Sequence, residues 1–473
     1  MGWSLHIVIP ALNEGETLRA CLRDVQPLRE RGARVVVADG GSTDTSWVLA
    51  QALSDHVIAA PRGRALQMNA GAAWKPPNKP CMLTRAPAAA NARTDAKGIG
   101  SSGVADADVL LFLHADTRLP PNADALILQA LQQGHVWGRF DVAFAPAGRL
   151  AWLAAMMNLR SVWSGIATGD QGMFVRREVF ESMGGFARQP LMEDIELSKR
   201  LKRVGWPARI KARVTTSARR WETHGVWRTV VLMWRLRLAY FWGTSPHVLA
   251  NQYGYRPAPA PASAALAVLA KAPVAGLAKT RLAPLLGARG AARAQRRFTL
   301  DTLQVGSQAG LHSVALWCTP DISQRFFRAL ARTRSLVCST QMEGDIGLRM
   351  RWVFQHHFER HQNLPLLLIG TDCAVLAPAH LQQAARVLVS HDVVVIPAED
   401  GGYVLIGMRR FVPEAFDSIR WSSPAVMAQT REQLRQAHVS WLELPSLWDI
   451  DEPADWQRWQ ALVGPQPSAT LRP

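Results

Sequence analysis

Twice in this chain an apolar run ends in an aspartate, turns through a Leu/Pro segment and continues with apolar residues at three- and four-residue spacing. The two copies read "DVLLFLHADTRLPPNADALILQAL" and "LPLLLIGTDCAVLAPAHLQQAARVL". The runs read as buried strands and the segments after the turns as helices. An acid just past the C-terminal end of a buried strand points into the crevice where open α/β sheets bind ligands. Asp116 is therefore a site candidate. Alone it could equally cap a turn before Pro120 and Pro121. The same strand–Asp–Pro–helix unit in two otherwise dissimilar halves points instead to two copies of one ligand-binding architecture.

The rest of each half repeats the plan. "LHIVIPALNE" opens the first and "GDQGMFVRRE" follows its central unit, whereas "LAVLAKAPVAG" and "EDGGYVLIGMRR" flank the second. This alternation predicts an α/β fold of two tandem, doubly wound domains with mostly parallel sheets. "YRPAPAPASAA", residues 255–265, reads as a stiff Pro/Ala linker between a domain of residues 1–254 and one of residues 266–473. Residues 75–105, rich in Pro, Ala, Gly, Ser and basic side chains, read as a loop inserted into the first domain.

With 473 residues, 48% of them hydrophobic, the chain can fill two such cores. Its five cysteines, Cys21, Cys81, Cys318, Cys338 and Cys373, form no CxxC pair, which argues against a disulfide framework and a zinc site. No apolar run approaches the roughly 18 residues of a spanning helix, and the N-terminus lacks a secretion signal, so a cytoplasmic protein is expected. The net charge of +17 suits nucleic acid, an anionic membrane or phosphorylated substrates. Finger spacings, RNP-like strands and basic heptad regions are missing, and no nucleic-acid partner is expected. Residues 226–242, "VWRTVVLMWRLRLAYFW", are apolar, Trp-rich and basic. At about 100° per residue Arg228 and Arg235 share a face and Arg237 points nearly opposite, which favours a helix packed on the core. Peripheral contact with the inner membrane face, presenting a lipid-linked acceptor, is the alternative.

In the first half, "IPALNEGETL" places Pro10, Asn13 and Glu14 directly after a strand and at the start of a helix whose amides could face a phosphate. "RVVVADGGSTDTS" ends a second strand in Asp39, with Asp44 following. A carboxylate there can accept from a ribose or a base edge, although an ordinary Asp-Gly turn is the competing reading. "PLMEDIELSKRL" sets Glu193 and Asp194 at a helix start, where acids also act as caps.

These stretches, with "GRALQMNAGA", "TGDQGMFVRREVFESMGGF" and "RRWETHGVWRTV", resemble family 2 glycosyltransferases of the GT-A fold, in the subfamily associated with radical-SAM and selenium-related domains. The resemblance covers nearly all of residues 4–253 outside the insertion. It implies a nucleotide-sugar donor whose nucleoside end meets Asp39 and Asp44, with Arg64 and Asn69 along the diphosphate. Asp116 would help hold Mg²⁺ or Mn²⁺ against the leaving diphosphate. Where the family has a DxD-type motif this chain reads "HAD", placing His114 at the first acid's position, as a metal ligand or as a core histidine. Asp194, with Glu193 beside it, would be the base that deprotonates the acceptor hydroxyl in an inverting displacement, with Asp170 and Gln171 near acceptor and donor sugar. Proteins of a radical-SAM pathway are implied as partners, and the acceptor is left open.

In the second half "AKAPVAGLAKTRLAPLLG" lacks the P-loop spacing but carries Lys279 and Arg281, able to neutralise a di- or triphosphate unless they merely line a solvated loop. Together with "QMEGDIGLRM", "IGTDCAVLAP", "PAEDGGYVLIGM" and "LPSLWDIDEPADW" it resembles the companion transferase family of the same association, a relative of nucleotidyltransferases such as 2-phospholactate guanylyltransferase. The resemblance implies a metal-nucleotide facing Asp372 and Asp400, backbone approach at Gly401 and Gly402, and Asp449 and Asp451 at the border. Ala374 stands where that family usually has proline. The sequence thus predicts a glycosyltransferase fused to a nucleotidyltransferase-like domain, the alternative being a second domain that binds nucleotide or a partner without catalysis.

Overall fold

The computed structural model describes residues 3–76, 108–145, 148, 150–218, 225–255, 262–334 and 336–463. Residues 77–105 of the expected insertion, 256–261 of the expected linker and 219–224 of "RRWETHGVWRTV" lie outside the described residues. The chain divides into two compact units, Met1–Gly40 with Leu53–Ala258 and Gly41–Ala52 with Pro259–Pro473.

The first unit is built on strands β1 (Ser4–Ala11), β2 (Arg34–Asp39), β3 (His56–Ala59), β4 (Asp108–Phe112), β5 (Thr117–Arg118), β6 (Trp137–Ala145), β7 (Met173–Arg176) and β8 (Ala208–Ser217), in the sheet order β3-β2-β1-β4-β7-β6-β8-β5. β1 pairs in parallel with both β2 and β4, and β2 with β3. These strands form because "HIVIP", "VVVA" and "VLLF" are apolar without alternation. Ile7, Val8, Val35, Leu110 and Leu111 are all fully buried, as in a sheet covered on both faces. β7 enters antiparallel between β4 and β6. The core on one face joins Val8, Leu110, Phe112, Trp137, Phe180 and Leu197. Arg177, buried, donates to Asp108 and to the Ala72 carbonyl and so ties that face to the start of β4.

The second unit repeats this topology with β9 (Ala265–Lys271), β10 (Ser313–Thr319), β11 (Val337–Thr340), β12 (Leu366–Ile369), β13 (Val393–Pro397), β14 (Tyr403–Met408) and β15 (Trp441–Glu443), ordered β11-β10-β9-β12-β14-β13-β15. Four parallel strands are again followed by an antiparallel one, β14. Its direction follows from chain length. Only residues 398–402 link β13 to β14, far too few for a parallel crossover. Two largely parallel α/β sheets agree with the fold expected from sequence. Among the described residues no helix is long and apolar enough to cross a membrane.

Candidate active site and nucleotide pocket

β7 runs antiparallel beside β4 with Met173 opposite Phe112, so residues just past β4 meet those just ahead of β7. This register brings His114 Nδ1 to 3.1 Å from Asp170 Oδ1. Asp170 lies in a short turn, Gly169–Gln171, closed by Thr168, whose N–H donates to Gln171 Oε1 at 3.1 Å. Gly169 N–H then donates to Asp194 Oδ2 at 3.0 Å, and Ile195 N–H to Asp194 Oδ1 at 2.7 Å. Helix Glu193–Leu201 is pinned there by Ser198, whose hydroxyl donates to Ala167 O at 3.1 Å and accepts from Ala167 N at 3.2 Å. Asp170 and Asp194 thus meet across Gly169, one from the turn ahead of β7 and the other, with Glu193, from the start of a helix.

Asp170 is a partly exposed carboxylate, with 39% of its side chain open. Its surroundings alone would raise its pKa, but the hydrogen bond and charge of His114, then Arg64 and Arg237, outweigh that and bring it down to about 2. Glu193 is buried, and burial followed by repulsion from Asp194 pushes it up to about 7, against the pull of Arg64. Arg64 is an exposed residue; desolvation by its neighbours opposes its charge, but Glu193, Tyr253, Asp170 and Asp116 outweigh that and raise its pKa. The charges of Asp116 and Asp170 thus both act on Arg64.

Asp116 is half-buried, its Oδ1 accepting from Thr117 Oγ1 at 3.3 Å. His114, expected as a metal ligand or as a core histidine, is buried and paired within the fold. Nδ1 is taken by Asp170, and the Nε2 edge lies against Gly169, where any Cβ would collide with the ring. Among the described residues no group of three His, Cys, Asp or Glu side chains is arranged to hold a metal. A lone strand-end carboxylate still suits Mg²⁺ or Mn²⁺, which are held by one or two carboxylates together with substrate phosphates.

On the other side of β1, Asp39 is buried at the end of β2. Gln67, which sequence reasoning passed over, donates through Nε2 to Ala11 O at 2.8 Å and Ala38 O at 2.9 Å, joining the C-terminal ends of β1 and β2. A Cβ at Gly40 would come within 2.9 Å of that amide, which is why glycine follows Asp39. Pro10 is buried, Asn13 takes the left-handed conformation (φ 52°), and Glu14 accepts from Thr17 Oγ1 at 2.8 Å at the start of helix Gly15–Asp24. Asn69 forms a clip to the Phe186 backbone. Its amide donates to Phe186 O at 2.8 Å and accepts from Phe186 N at 2.9 Å, which leaves little for a diphosphate. Asp44 accepts from Ser46 N–H at 2.9 Å just ahead of helix Ser46–Leu53, in the segment that groups with the second unit.

Two further residues were not foreseen. Arg160, on helix Ala151–Ser164, and Arg237, on helix Val226–Phe241, both sense the charges of Asp194 and Asp170. The one signal in the sequence was that Arg237 points away from Arg228 and Arg235. The face opposite them packs Leu236, Met233 and Tyr240 against Met192, Ile195 and Leu249. The expectation of a helix packed on the core holds for this face alone. Trp227, Val231, Trp234, Leu238 and Phe241 form an exposed stripe along the other, Trp227 stacking on Trp152 at 5.3 Å.

In the second unit the antiparallel pairing of β12 with β14, Ile369 opposite Leu405, likewise sets the residues after β12 against those before β14. Asp372 and Asp400 line one cavity of about 680 Å³ with Lys279, Arg281, Gly402, Tyr403, Trp421 and Asp451. Lys279 is paired within this cavity. Its ammonium, 6% exposed, lies 2.6 Å from Asp372 Oδ1 and 2.7 Å from Asp451 Oδ1, and donates to Ile450 O at 2.7 Å. Burial opposes its charge but the two aspartates raise its pKa. Asp449 is pushed up to about 6 by burial and then by Asp400, Asp451 and Asp372. Gly401 has φ 93° and packs so closely on the Pro424 backbone that no side chain fits, and Gly402 N–H donates to Asp400 Oδ1 at 2.9 Å. Gln341 donates to Trp317 O at 2.7 Å and Ala270 O at 3.4 Å, joining β10 to β9 as Gln67 joins β2 to β1.

The sequence profile of "Glycosyl transferase family 2" matches residues 6–74, and that of "Uncharacterized protein conserved in bacteria (DUF2064)" matches residues 302–423. No curated protein matches the chain. Among solved structures, a "putative nucleotide-diphospho-sugar transferase" from Desulfovibrio desulfuricans G20 is 32% identical over 40% of this chain and 82% of its own, with a TM-score of 0.37. Glucosyl-3-phosphoglycerate synthase from Mycobacterium tuberculosis, solved with Mn²⁺, uridine diphosphate and phosphoglyceric acid, is 18% identical over 45% of this chain and 69% of its own, with a TM-score of 0.29, a likeness too slight to transfer ligands. The chain therefore carries a family 2 glycosyl transferase region ahead of a region of the DUF2064 family, and it is similar to a nucleotide-diphospho-sugar transferase.

Proposed function

We propose that the first unit is a metal-dependent, inverting glycosyltransferase with Asp194 as its base. The observation that carries this is the meeting of His114, Asp170 and Asp194 past the end of β4, where His114 contacts Asp170 and the adjoining Gly169 N–H donates to Asp194. Asp194 is held by two backbone N–H groups and needs no rearrangement to receive a proton. The acceptor hydroxyl gives its proton to Asp194 while its oxygen bonds to the anomeric carbon. The bond from that carbon to the diphosphate oxygen breaks on the opposite side. Asp116 would hold the divalent metal, which when bound offsets the charge of the leaving diphosphate. Arg64 adds a fixed positive charge on the same side. The test is release of nucleoside diphosphate from a panel of nucleotide-sugars with Mn²⁺ or Mg²⁺. Asp194→Asn should retain donor binding and lose about 10²–10⁴ in kcat. Full turnover by that variant would refute the assignment.

The second unit is read as a nucleotide site of nucleotidyltransferase type, supported by its acid cluster and its cavity beside Lys279 and Arg281. Binding of a nucleoside triphosphate without turnover would favour the silent binding module instead. A peripheral membrane setting is a second reading of the whole chain. It is favoured by the exposed stripe Trp227, Val231, Trp234, Leu238 and Phe241 beside exposed Arg228 and Arg235. Co-sedimentation with anionic vesicles that Trp234→Glu leaves intact would remove it.

A further inference from the structure

Arg160 presents an unusual group to the site. Its Nε and Nη2 are buried and have no hydrogen-bond partner among the described residues. These two atoms form the edge of the guanidinium whose parallel N–H bonds grip a carboxylate or phosphate as a fork. Buried donors left unpaired are costly, and a like charge lies close by. Burial first and then Arg237 bring Arg160 down to about 10, while Asp194 and Asp170 pull the other way. Arg237 is lowered by burial and supported by Asp194, Asp170 and Tyr253. Among the described residues neither guanidinium makes an ion pair within 4 Å.

The arginines divide into two groups. Arg64 senses Asp116, Asp170 and Glu193, the side assigned to the donor diphosphate. Arg160 and Arg237 sense Asp194 and Asp170 instead, the side of the base. We propose that the acceptor carries an anionic group, phosphate or carboxylate, and that Arg160 and Arg237 bind it beside the hydroxyl delivered to Asp194. The inference rests on glycosyl transfer by the first unit and adds the substrate class. A dianionic phosphate satisfies the open fork of Arg160 and relieves its repulsion from Arg237 in one step. A neutral sugar does neither.

The test uses the full-length chain and three probes: inorganic phosphate, glycerol 3-phosphate, and phosphatidylcholine vesicles with and without phosphatidic acid. Binding is measured by calorimetry or sedimentation, and nucleoside diphosphate binding with Mn²⁺ is measured alongside. Phosphate and glycerol 3-phosphate should bind, glycerol should not, and Arg160→Gln or Arg237→Gln should weaken the anions about tenfold or more without changing nucleotide affinity. Arg160→Lys should recover only part, because it restores the charge without the fork. Thermal unfolding of each variant separates lost binding from lost fold. Arg160-dependent binding confined to phosphatidic acid vesicles supports the proposal with a lipid-borne phosphate as the source. Variants that weaken the nucleotide as much as the anion would overturn it by assigning both arginines to the donor, and so would anion binding indifferent to Arg160. Failure of the wild-type chain to bind any nucleotide would sink the glycosyl transfer reading instead, a result the anion titration does not share.

Discussion

His114 Nδ1 lies 3.1 Å from Asp170 Oδ1, across the gap between the end of β4 and the start of β7. The histidine occupies the place of an acid in the DxD-type pattern, yet its contact is with a carboxylate one strand away. His114→Asp would restore the acidic pattern and set two carboxylates against each other. It should lower kcat about tenfold or more and should not strengthen Mn²⁺-dependent donor binding. Tighter Mn²⁺ in titrations of the variant would show that position 114 faces the metal after all.

Glu193, pushed up to about 7, makes a signed prediction. An acid with a raised folded pKa keeps its proton longer when folded, so its cost is nil below its unfolded value near 4.5. Stability is then lost as pH rises from there through about 7. Glu193→Gln should therefore be more stable than wild type at pH 8, by on the order of 3 kcal/mol, with the difference closing below pH 4.5. Unfolding curves at the two pH values check this, and a constant difference would refute it.

Lys279 sits between Asp372 and Asp451 at 2.6 and 2.7 Å, as a divalent cation would. Both aspartates are about two-fifths exposed, so solvent screens part of the loss when the lysine is removed. Lys279→Met should cost on the order of 1–2 kcal/mol of stability and should bind Mn²⁺ more tightly than wild type in the absence of nucleotide. Unchanged Mn²⁺ affinity by calorimetry would mean that the ammonium and the metal do not compete.

Asp392, nearly buried ahead of β13, accepts from Arg409 Nη2 at 2.7 Å, Arg410 Nε at 3.1 Å and Ser440 Oγ at 2.9 Å. Burial alone would raise its carboxyl, but these partners hold it well below the usual carboxylate range. A depressed folded pKa stabilises at pH values above the unfolded one near 3.8, and that contribution fades as pH falls. Asp392→Asn should lower stability at pH 7 by on the order of 2–3 kcal/mol and by less at pH 3. Equal losses at both would show that the carboxylate charge is not what matters.

The strand–Asp–Pro–helix repeat was legible because it depends on local periodicity, and it anticipated the two sheets together with Asp116 and Asp372 at their strand ends. The acids Asp170, Glu193 and Asp194 were legible through motifs. What the sequence hid depends on neighbours far along the chain. Asn69 is chemically suited to a phosphate until Phe186, 117 residues on, takes both ends of its amide. Gln67 and Gln341 perform one task in the two units, yet neither lies in a stretch that repeats. Arg160 sits in a helix with no motif, and only its unpaired donors, visible once the surroundings exist, set it apart.

Helix Val226–Phe241 carries sixteen residues, with Arg237 on the inner side, where the charge of Asp194 reaches it, and Trp234 turned to solvent. The two faces belong to a single rigid rod, so they cannot be loaded independently if either moves it. A surface that draws the tryptophans down and thereby changes how tightly the inner face holds its ligand must itself be gripped more or less tightly by the same factor when that ligand is present. Substrate capture and residence on that surface would then be two measurements of one free energy.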